Sequence, residues 1–565
     1  MITMKARTAP LLLLSLSVLW PGLSCAGMRE DARQLVDQKN FPGALKMYGR
    51  LLAETPDDTD LLIEAARVNA WADRHKEAIE IYQRVLHVAP QRRSDVLLPL
   101  AWQLTWSGRH RDAVTLFRES LAADPGNREA RHGLAETLSN DNRLAEALGE
   151  YQQLIASDAT DMKARYSEAR LLLWMNRYAE AERRYQGMLR ENPDDKEAVL
   201  GMARTYNWSG RHFLAAREYE AAARRWPADE GIKTDLATAQ RWAGTDNLAL
   251  GTLAGVSGDS AATLRRQIKI DALKGLRFSA TTSYDTDRLR VNSETLAFRY
   301  PFDTTRLLQT SLRLAQLEQR GQHANGKELL VSYGDRFGAF DAPRGMIWPS
   351  VSAGVRDYEG WQTFAWRAGA KWLPVDLWRF DFDAGNEVIE NISSVRNKVT
   401  FTSLGAGTEV RIHPRITAAA SLGLGRFDDG NVRNRLRARI EGLVLTQPRV
   451  TLGWEGLRFS NSKPDIVRGY YNPESHIENK LISSIETTRW DWNFQARAGF
   501  GRLSEEPSGI GRGIYSWELQ ASRYIRDSVS LRLYVGRSDS AFNSSATLGS
   551  GYARSYGGID LTMTF

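Results

Sequence analysis

Cysteine is almost absent from this chain, in which Cys25 is the only one among 565 residues. It stands near the end of an amino-terminal segment where Lys5 and Arg7 precede an apolar run over residues 10–20 and then small residues. This order is typical of a secretory signal peptide. Cleavage after Ala26 is expected, and it leaves a mature protein without thiols or disulfide bonds. The alternative is that Cys25 is kept as a lipid-modified first residue.

Long apolar segments are missing too, because no stretch after residue 26 offers 18 or more uninterrupted apolar residues. A helical membrane span therefore finds no support in the sequence. The low mean hydropathy of −0.43 does not speak against a membrane. In a transmembrane β-barrel the lipid-facing residues alternate with polar ones, so the average resembles that of a soluble protein.

Groups that carry enzyme chemistry are scarce as well. The second half of the chain has only His323, His413 and His476, and none lies at a metal-ligand spacing from another. Gly405 and Gly407 are spaced as glycines on one face of a strand, without a following helix to form a phosphate loop. The sequence therefore predicts no catalytic residue, no metal, no cofactor and no enzymatic activity.

The first half of the chain is a repeat. Alanines recur at intervals of about 34 residues, and an aromatic residue follows each of them one helical turn later. The pairs are Ala44 with Tyr48, Ala78 with Tyr82, Ala113 with Phe117, Ala147 with Tyr151, Ala181 with Tyr185, and Ala215 with Tyr219. The small alanine allows two helices to approach closely, and the aromatic fills the gap between neighbouring pairs. Residues 27–246 are therefore predicted to form a tetratricopeptide array.

Tryptophans form a second ladder near the expected ends of the first helices. Its members are Trp71, Trp106, Trp174, Trp208 and Trp242, with Asn140 at the missing position. In repeats of this type the first helix lines the concave surface. Two interpretations stay open: the rings pack between repeats, or they form apolar plates that stack on sugar rings or on a partner's side chains.

From about Asn247 the helical period gives way to segments of about ten residues with period two. In the last of them Ile559, Leu561, Met563 and Phe565 alternate with Asp560, Thr562 and Thr564. This pattern indicates the closing strand of a barrel with lipid outside and water inside, and an edge strand of a soluble sheet is the alternative. Residues 247–565 are therefore predicted to form an antiparallel transmembrane β-barrel of 16 to 18 strands.

Charged side chains on one face of two predicted strands indicate the barrel interior. Arg433, Arg435, Arg437 and Arg439 share one face of a strand, and Arg379, Asp381 and Asp383 oppose Trp378, Phe380 and Phe382 on another. On the lipid side each arginine would cost roughly 2 to 4 kcal/mol near the midplane, so these groups are expected in the lumen. There they either pair with acids as wall braces or attract an anionic or acetylated polymer.

The connections between the predicted strands fall into two classes. Tight turns are expected at 373–376, 413–414, 446–448, 489–491 and 526–527, and longer loops at 389–397, 462–475, 504–513 and 541–551. Short periplasmic turns and long external loops are typical of outer-membrane barrels. The barrel half carries a formal charge of roughly +8 and the repeat half roughly −3. Because the positive charges of the barrel half are spread through strands and balanced by many acids, they indicate a lumen lining and no nucleic-acid partner.

One long loop carries a candidate sugar contact. Tyr470 and Tyr471 follow Gly469 and precede Asn472 and Pro473. Paired tyrosines can contact a sugar by stacking and by hydrogen bonding. The alternative is a rigid turn held by Pro473.

A signal peptide, a tetratricopeptide array and a carboxy-terminal barrel together resemble the outer-membrane exporters of bacterial exopolysaccharides, namely the exporters encoded in cellulose synthase operons and the poly-N-acetylglucosamine porins. The tract from Gly469 to Pro473 is similar to the Gly-Tyr-Tyr-x-Pro or Tyr-Asn-Pro segment that those barrels carry before their last strands. The resemblance implies a barrel, typically of 16 strands, through which a polymer leaves. It also implies that the repeats form a periplasmic platform.

The resemblance further implies an outer-membrane protein that meets an exopolysaccharide chain, periplasmic or inner-membrane biosynthesis proteins, the lipid bilayer and the barrel assembly machinery. Two other classes share the layout. One is a translocator of surface lipoproteins or other proteins, and the other is a passive porin or phage-adsorption receptor.

Overall fold

The computed structural model describes residues 21–338, 345–464, 469–506, 509–539 and 553–565. The chain divides into two compact units, the first ending at Arg184 and the second running from Tyr185 to Phe565. Helices make up the first unit and the beginning of the second, and all described strands belong to one sheet. No described helix combines the length and the apolar character needed to cross a membrane.

Ten helices follow one another from residue 21 to residue 191, and a 3-10 turn, Pro90–Arg92, lies among them. Their bounds are α1 (Pro21–Asp37), α2 (Phe41–Glu54), α3 (Thr59–Trp71), α4 (His75–Val88), α5 (Arg93–Trp106), α6 (His110–Ala123), α7 (Arg128–Asn140), α8 (Leu144–Ser157), α9 (Met162–Trp174) and α10 (Tyr178–Glu191). Consecutive helices from α1 to α9 pack against one another, as the repeat predicts.

Short polar residues mark where the first helix of a pair begins. Asp58 accepts hydrogen bonds from two backbone N–H groups at the start of α3, and Asn127 and Asp161 each accept one at the starts of α7 and α9. Pro56 and Pro125 stand just before two of these caps. Because proline lacks the N–H that would continue a helix, each proline and cap together separate one helix from the next.

The predicted signature residues form the interior of the helical pairs. All six alanines are completely buried, and the aromatic residue one turn later is at most 5% exposed in every pair. The close approach is clearest at Gly133 and Gly201, where an added Cβ atom would overlap the rings of Phe117 and Tyr185. A larger residue at either glycine would have to displace an aromatic ring from a packed core.

Helices continue beyond the predicted end of the array. The second unit contains α11 (Lys196–Trp208), α12 (His212–Arg225), α13 (Glu230–Trp242), α14 (Asp246–Thr252) and α15 (Asp259–Asp271). Strands therefore start at Gly275 and not near Asn247, because Ala249, Leu253 and Ile268 of this extension pack into a buried cluster with α13. A folding boundary at residues 246 and 247 stays a prediction, and the compact units divide instead within α10.

Seventeen antiparallel strands follow within the described residues. They are β1 (Gly275–Asp285), β2 (Leu289–Pro301), β3 (Leu307–Gln319), β4 (Gln322–Gly334), β5 (Phe337–Gly338), β6 (Met346–Tyr358), β7 (Trp361–Val375), β8 (Trp378–Val388), β9 (Thr400–His413), β10 (Ile416–Phe427), β11 (Val432–Thr446), β12 (Arg449–Asn461), β13 (Ser475–Arg489), β14 (Trp492–Glu506), β15 (Ile510–Arg526), β16 (Val529–Ser538) and β17 (Arg554–Thr564).

The sheet closes on itself because β1 pairs with β17 as well as with β2. In this seam Gly275 lies opposite Thr564, and Ser279 lies opposite Asp560. The two-residue β5 pairs with β6 next to the end of β4, so sixteen strands form the closed barrel and β5 is additional. The prediction of a barrel of 16 to 18 strands is confirmed.

The barrel wall has two chemically different faces. Large apolar side chains point outward and stay exposed, among them Leu481, Phe500, Leu422 and Phe364. The inner face is polar. In β17 the predicted alternation holds, because Asp560, Thr562 and Thr564 line the interior while Ile559 and Met563 are exposed on the outside.

The longest described connections lie at one end of the barrel, although that end also has tight turns at 320–321 and 359–360. The end at which β1 begins, here the entry end, has the tight turns between β7 and β8, β9 and β10, β11 and β12, β13 and β14, and β15 and β16, as predicted. The other end, the far end, has longer loops at 389–399 and between β12 and β13. The predicted loop over 504–513 is wrong in extent, since β14 runs to Glu506 and β15 begins at Ile510. The predicted loop at 541–551 lies outside the described residues.

Candidate functional site

The barrel encloses a cavity of about 800 Å³. Its wall comes from β1 to β4, β6 to β8, β16 and β17, with many serine, threonine and arginine side chains. On β1, Arg277, Ser279 and Thr281 face the cavity, whereas Phe278 between them is exposed on the outside. A cavity of this volume lies within the range of ligand-binding pockets, about 300 to 1,000 Å³.

The first arginine of the β11 ladder is a buried structural residue. Arg433 is only 5% exposed, and its Nε donates a hydrogen bond of 2.7 Å to the side chain of Asn461. Its guanidinium lies over the rings of Phe427 and Phe459, at 5.3 and 4.9 Å from their centroids. Contacts of this kind combine cation–π attraction with close packing, so Arg433 braces the wall near the far end.

The other three arginines of the ladder lie on the same inner face in different surroundings. Arg439 lies 3.6 Å from Glu409 and 3.9 Å from Glu441, whereas Arg437 is half-buried. Arg435 lines a smaller cavity together with Asp383 and makes no ion pair within the described residues. Arg433 and Arg439 are therefore held by contacts within the wall, Arg435 makes no such ion pair, and contact of the ladder with a polymer stays a prediction.

The charges predicted on β8 join this ladder through a residue that the sequence did not single out. Arg379 donates a hydrogen bond of 2.8 Å to Asp381 and lies 3.5 Å from Glu409. Glu409 therefore sits between Arg379 of β8 and Arg439 of β11. The sequence offered little indication of Glu409, because it is a single acidic residue in a strand composed largely of small residues.

Loops from the far end fold into the barrel. The loop after β8 contains α16 (Ile392–Arg396), and Glu390 just before it forms an ion pair with Arg313 of β3 and accepts a 2.7 Å hydrogen bond from Tyr358. Asn391 donates a 2.8 Å hydrogen bond to the backbone oxygen of Gly469 in the loop after β12. Because the first loop leaves β8 and reaches β3, it crosses the barrel interior. We call the segments 389–399 and 469–474 the plug.

An apolar cluster anchors the plug to the wall. Ile389, Val399, Phe401, Phe427 and Tyr470 are all buried against one another. The rings of Tyr470 and Phe427 are stacked at 4.6 Å with an interplanar angle of 5°. Both plug segments therefore share one core with the inner face of β9 and β10.

The two candidate sugar-binding tyrosines belong to this plug. Tyr470 is 7% exposed, and its hydroxyl donates a 2.8 Å hydrogen bond to Asp429. The hydroxyl of Tyr471 donates a 2.5 Å hydrogen bond to Glu505 and lies 2.8 Å from Nδ1 of His476. One face of Tyr470 is already covered by Phe427, so this ring is part of the core of the plug. A sugar contact by either ring stays a prediction.

A chain of buried charges continues from the plug along β13. His476 and Glu478 are almost completely buried and lie 2.7 Å apart, and the equally buried Lys480 is 3.1 Å from Glu455 of β12. These groups alternate along β13 and all face inward. Sequence reasoning missed them, although charged residues at every second position were the same signal that identified the ladder on β11.

All five tryptophans of the repeat ladder end the helix that carries them, as predicted. They are between 44% and 56% exposed, and a contact with a sugar or a partner stays a prediction. Trp106 is stacked on Trp102 at 5.5 Å and tilted against His75 at 5.8 Å, and Trp242 meets His212 edge to face at 5.3 Å. Trp106 and Trp242 are therefore held in place on one side while another part of each ring remains exposed.

Within the second unit, helices α12 and α13 contact the entry end of the barrel. Phe213 and Ala243 form a buried cluster with Met346 of β6. Arg411 of β9 donates a 3.2 Å hydrogen bond to the backbone oxygen of Ser209. Burial and the nearby charge of Arg411 lower the pKa of His212 to about 4, so this histidine is neutral at physiological pH.

Comparison with known proteins identifies the helical repeats. Models of the tetratricopeptide repeat match residues 35–98, 107–173 and 166–230. A search of curated proteins found no match. Among solved structures, the chain is similar to a bacterial polysaccharide outer membrane secretin, with 15% identity, a TM-score of 0.43, and coverage of 52% of this chain and 99% of that one.

Two tetratricopeptide repeat proteins are also similar to part of the chain. One is a tetratricopeptide repeat protein from Parabacteroides merdae, with 16% identity, a TM-score of 0.39, and coverage of 44% of this chain and 100% of the other. The second is YrrB, described as a TPR protein with an unusual peptide-binding site, with 19% identity, a TM-score of 0.27 and coverage of 30% and 88%. The chain thus consists of tetratricopeptide repeats followed by a closed barrel of sixteen strands, which is the layout of the exporters that its sequence resembles.

Proposed function

We propose that this protein is an outer-membrane pore that exports a bacterial exopolysaccharide, with its repeats in the periplasm as a scaffold for the polymer or for partner proteins. The observation that carries this proposal is a closed sixteen-strand barrel with an apolar outer face and a polar cavity, on one chain with tetratricopeptide repeats. No catalytic step is required of such a protein.

The outer face supports a membrane location. Leu481, Phe500, Leu422 and Phe364 are each at least 60% exposed, and similar side chains occur on most other strands. A soluble protein rarely leaves contiguous apolar surface of this extent in water. A bilayer would cover it, and a closed sheet leaves no unpaired backbone group facing lipid. The lipid bilayer and the barrel assembly machinery are therefore proposed partners.

The polar interior of the barrel supports the proposal that the cargo is polar and that its passage is selective. Serine, threonine and arginine side chains line the cavity, and they suit the hydroxyl and ring oxygens of sugars better than an apolar protein segment. The plug crosses the barrel, which argues against free passage as in a passive porin. The exposed tryptophans of the repeats offer flat surfaces on which sugar rings or a biosynthesis protein could stack.

Localisation is tested by cell fractionation and by electrophoresis of unheated and boiled samples. The full-length protein should fractionate with the outer membrane and migrate faster when it is not boiled. Deletion of Phe565, whose backbone N–H donates to the oxygen of Lys274 at the seam, should reduce the heat-modifiable band. Recovery of the intact chain from the soluble periplasmic fraction would contradict the proposal.

Export is tested by deleting the gene and measuring secreted polysaccharide and surface-exposed lipoprotein in the same cells. The proposal expects loss of secreted polysaccharide, with lipoprotein display unchanged and restoration by the wild-type gene. Loss of lipoprotein display with normal polysaccharide would support protein translocation instead.

A further inference from the structure

The large cavity has an excess of positive charge. Seven arginines and four carboxylates line it, which leaves three positive charges over. Arginine is always protonated in proteins, so this excess does not depend on pH over the physiological range. Arginines that are not paired with carboxylates of the wall can bind an anionic ligand.

Three of the four carboxylates are already held by arginines. Glu390 pairs with Arg313, and Glu328 pairs with Arg356. Asp560 is shared, since Arg532 Nε donates to it at 2.6 Å while Arg277 lies 3.3 Å away on its other side. One carboxylate between two guanidinium groups leaves part of their hydrogen-bonding capacity unused.

Two further arginines make no ion pair within 4.0 Å among the described residues. Arg299 donates a 2.7 Å hydrogen bond only to the backbone oxygen of Asp271. Arg367 has no described carboxylate oxygen within 4.0 Å, and the charge that it attracts most directly is Glu387, the remaining acid of the wall, which lies beyond ion-pair distance. Arg367 therefore presents a guanidinium fork to the cavity, and the cavity is lined on several strands by hydroxyl groups.

Guanidinium forks and hydroxyl groups together match one class of ligand. A guanidinium binds a carboxylate through two parallel hydrogen bonds, and serine and threonine hydroxyls can both donate to and accept from sugar hydroxyls. We infer that the cavity binds an acidic saccharide, that is, a sugar chain bearing carboxylate groups, as it passes through the barrel. This inference rests on the proposed export function and specifies its cargo.

The test uses purified full-length protein in planar lipid bilayers, with an oligogalacturonate, a neutral malto-oligosaccharide and a cationic glucosamine oligomer, all of six sugars. Each is added while the ionic current is recorded, and its apparent affinity is taken from the concentration that halves the current. The oligogalacturonate should bind most tightly. Arg367→Glu should weaken its binding on the order of tenfold or more, as expected for loss of a charge-assisted contact.

Two further variants separate binding from assembly. Arg320→Glu makes the same charge change in an exposed turn between β3 and β4, outside the cavity, and should leave the affinity unchanged. Arg367→Gln removes the positive charge without adding a negative one. It replaces Arg367→Glu in the affinity measurement if that variant does not assemble, that is, if it gives no heat-modifiable band.

The outcomes distinguish this inference from the function on which it rests. Equal or tighter binding of the neutral or cationic oligomer would overturn the inference and leave saccharide export standing. An unchanged oligogalacturonate affinity in assembled Arg367→Gln would also overturn it. If no saccharide affects the current and gene deletion leaves polysaccharide secretion normal, the export function itself fails.

Discussion

Asp376, in the turn between β7 and β8, accepts hydrogen bonds from the backbone N–H groups of Phe213, at 2.9 Å, and of Leu214, at 3.0 Å. These groups belong to the first turn of α12, whose own preceding residue, Arg211, makes no side-chain cap. A carboxylate from the barrel therefore supplies the cap that the helix lacks. Burial raises the pKa of Asp376, although these backbone hydrogen bonds act in the opposite direction.

Asp376→Ala should weaken the attachment of α12 to the barrel. Loss of a helix cap costs about 1 kcal/mol, so the amides of Phe213 and Leu214 should exchange with solvent about fivefold faster in the full-length protein. Hydrogen exchange followed by mass spectrometry measures this. Asp491→Ala, in the exposed turn after β13, is the matched control and should change nothing in α12. Equal exchange in both variants would show that the cap contributes little.

The ion pair between Glu390 and Arg313 should hold the plug closed. Glu390→Ala leaves the half-buried guanidinium of Arg313 without its partner, and breaking a fully buried pair on one side costs about 3 to 5 kcal/mol, which is an upper bound here. The single-channel conductance of this variant should therefore rise. The double variant Glu390→Ala with Arg313→Ala should resemble the wild type more closely than the single variant does. A conductance unchanged by Glu390→Ala would mean that the plug does not limit the current.

Replacing Arg435 and Arg437 by Glu should reduce or reverse the anion preference of the pore. Both lie on the inner face of β11, and Arg435 lines the smaller cavity. The reversal potential across a salt gradient reports the preference, and heat modifiability reports assembly. Arg458→Glu reverses one charge on the outer face of the neighbouring strand β12, opposite Leu436, and should leave the reversal potential unchanged. An unchanged reversal potential in the assembled variant would identify the two arginines as wall braces only.

Trp106→Ala and Trp208→Ala should lower polysaccharide export while leaving the helical fold intact, because both rings are about half exposed. Phe117→Ala is the contrast, since that ring is completely buried and its loss should destabilise the repeats by about 3 to 5 kcal/mol. Circular dichroism of residues 27–246 separates the two effects. If the tryptophan variants unfold as Phe117→Ala does, the rings serve packing.

The stability of the first repeats should depend on Glu64 at acidic pH. Burial alone would raise the pKa of Glu64, but hydrogen bonds from Arg29, Arg33 and Tyr48 outweigh burial and lower the pKa to about 2. In the unfolded chain Glu64 takes up its proton around its ordinary pKa of 4.5. The contribution of the Glu64 carboxylate to the free energy of unfolding is therefore fully present above pH 4.5 and is lost as the pH falls toward about 2.

Urea unfolding of residues 27–246 at a series of pH values measures this loss. Glu64→Gln should flatten the dependence between pH 4.5 and about 2, whereas Glu80→Gln on the exposed face of α4 should keep it. A slope that persists in Glu64→Gln would assign the acid sensitivity to other carboxylates.

Regular patterns in this sequence translated directly into structure. The spacing of Ala44 and Tyr48, repeated in the later helical pairs, predicted which residues are buried. The alternation in β11 and β17 predicted which side chains face inward, because successive side chains of a strand point to opposite faces of the sheet. Helices α14 and α15 were missed because residues 246–271 carry no repeat signature. The plug was missed for a different reason. Contacts such as those of Glu390 with Arg313 and of Asn391 with Gly469 join positions far apart in the chain, and no local period reports them.

The seam between β1 and β17 bears on how the barrel is made. Ser279 and Asp560 are hydrogen-bonded across it although 281 positions separate them in the chain. Contacts this distant form slowly because their loop-closure entropy is lost before any interaction compensates for it. Until β17 has been synthesised and docked, β1 and β16 each present an open edge that can template pairing with another chain. Assembly therefore requires protection of two edges for the whole time between synthesis of the first strand and arrival of the last.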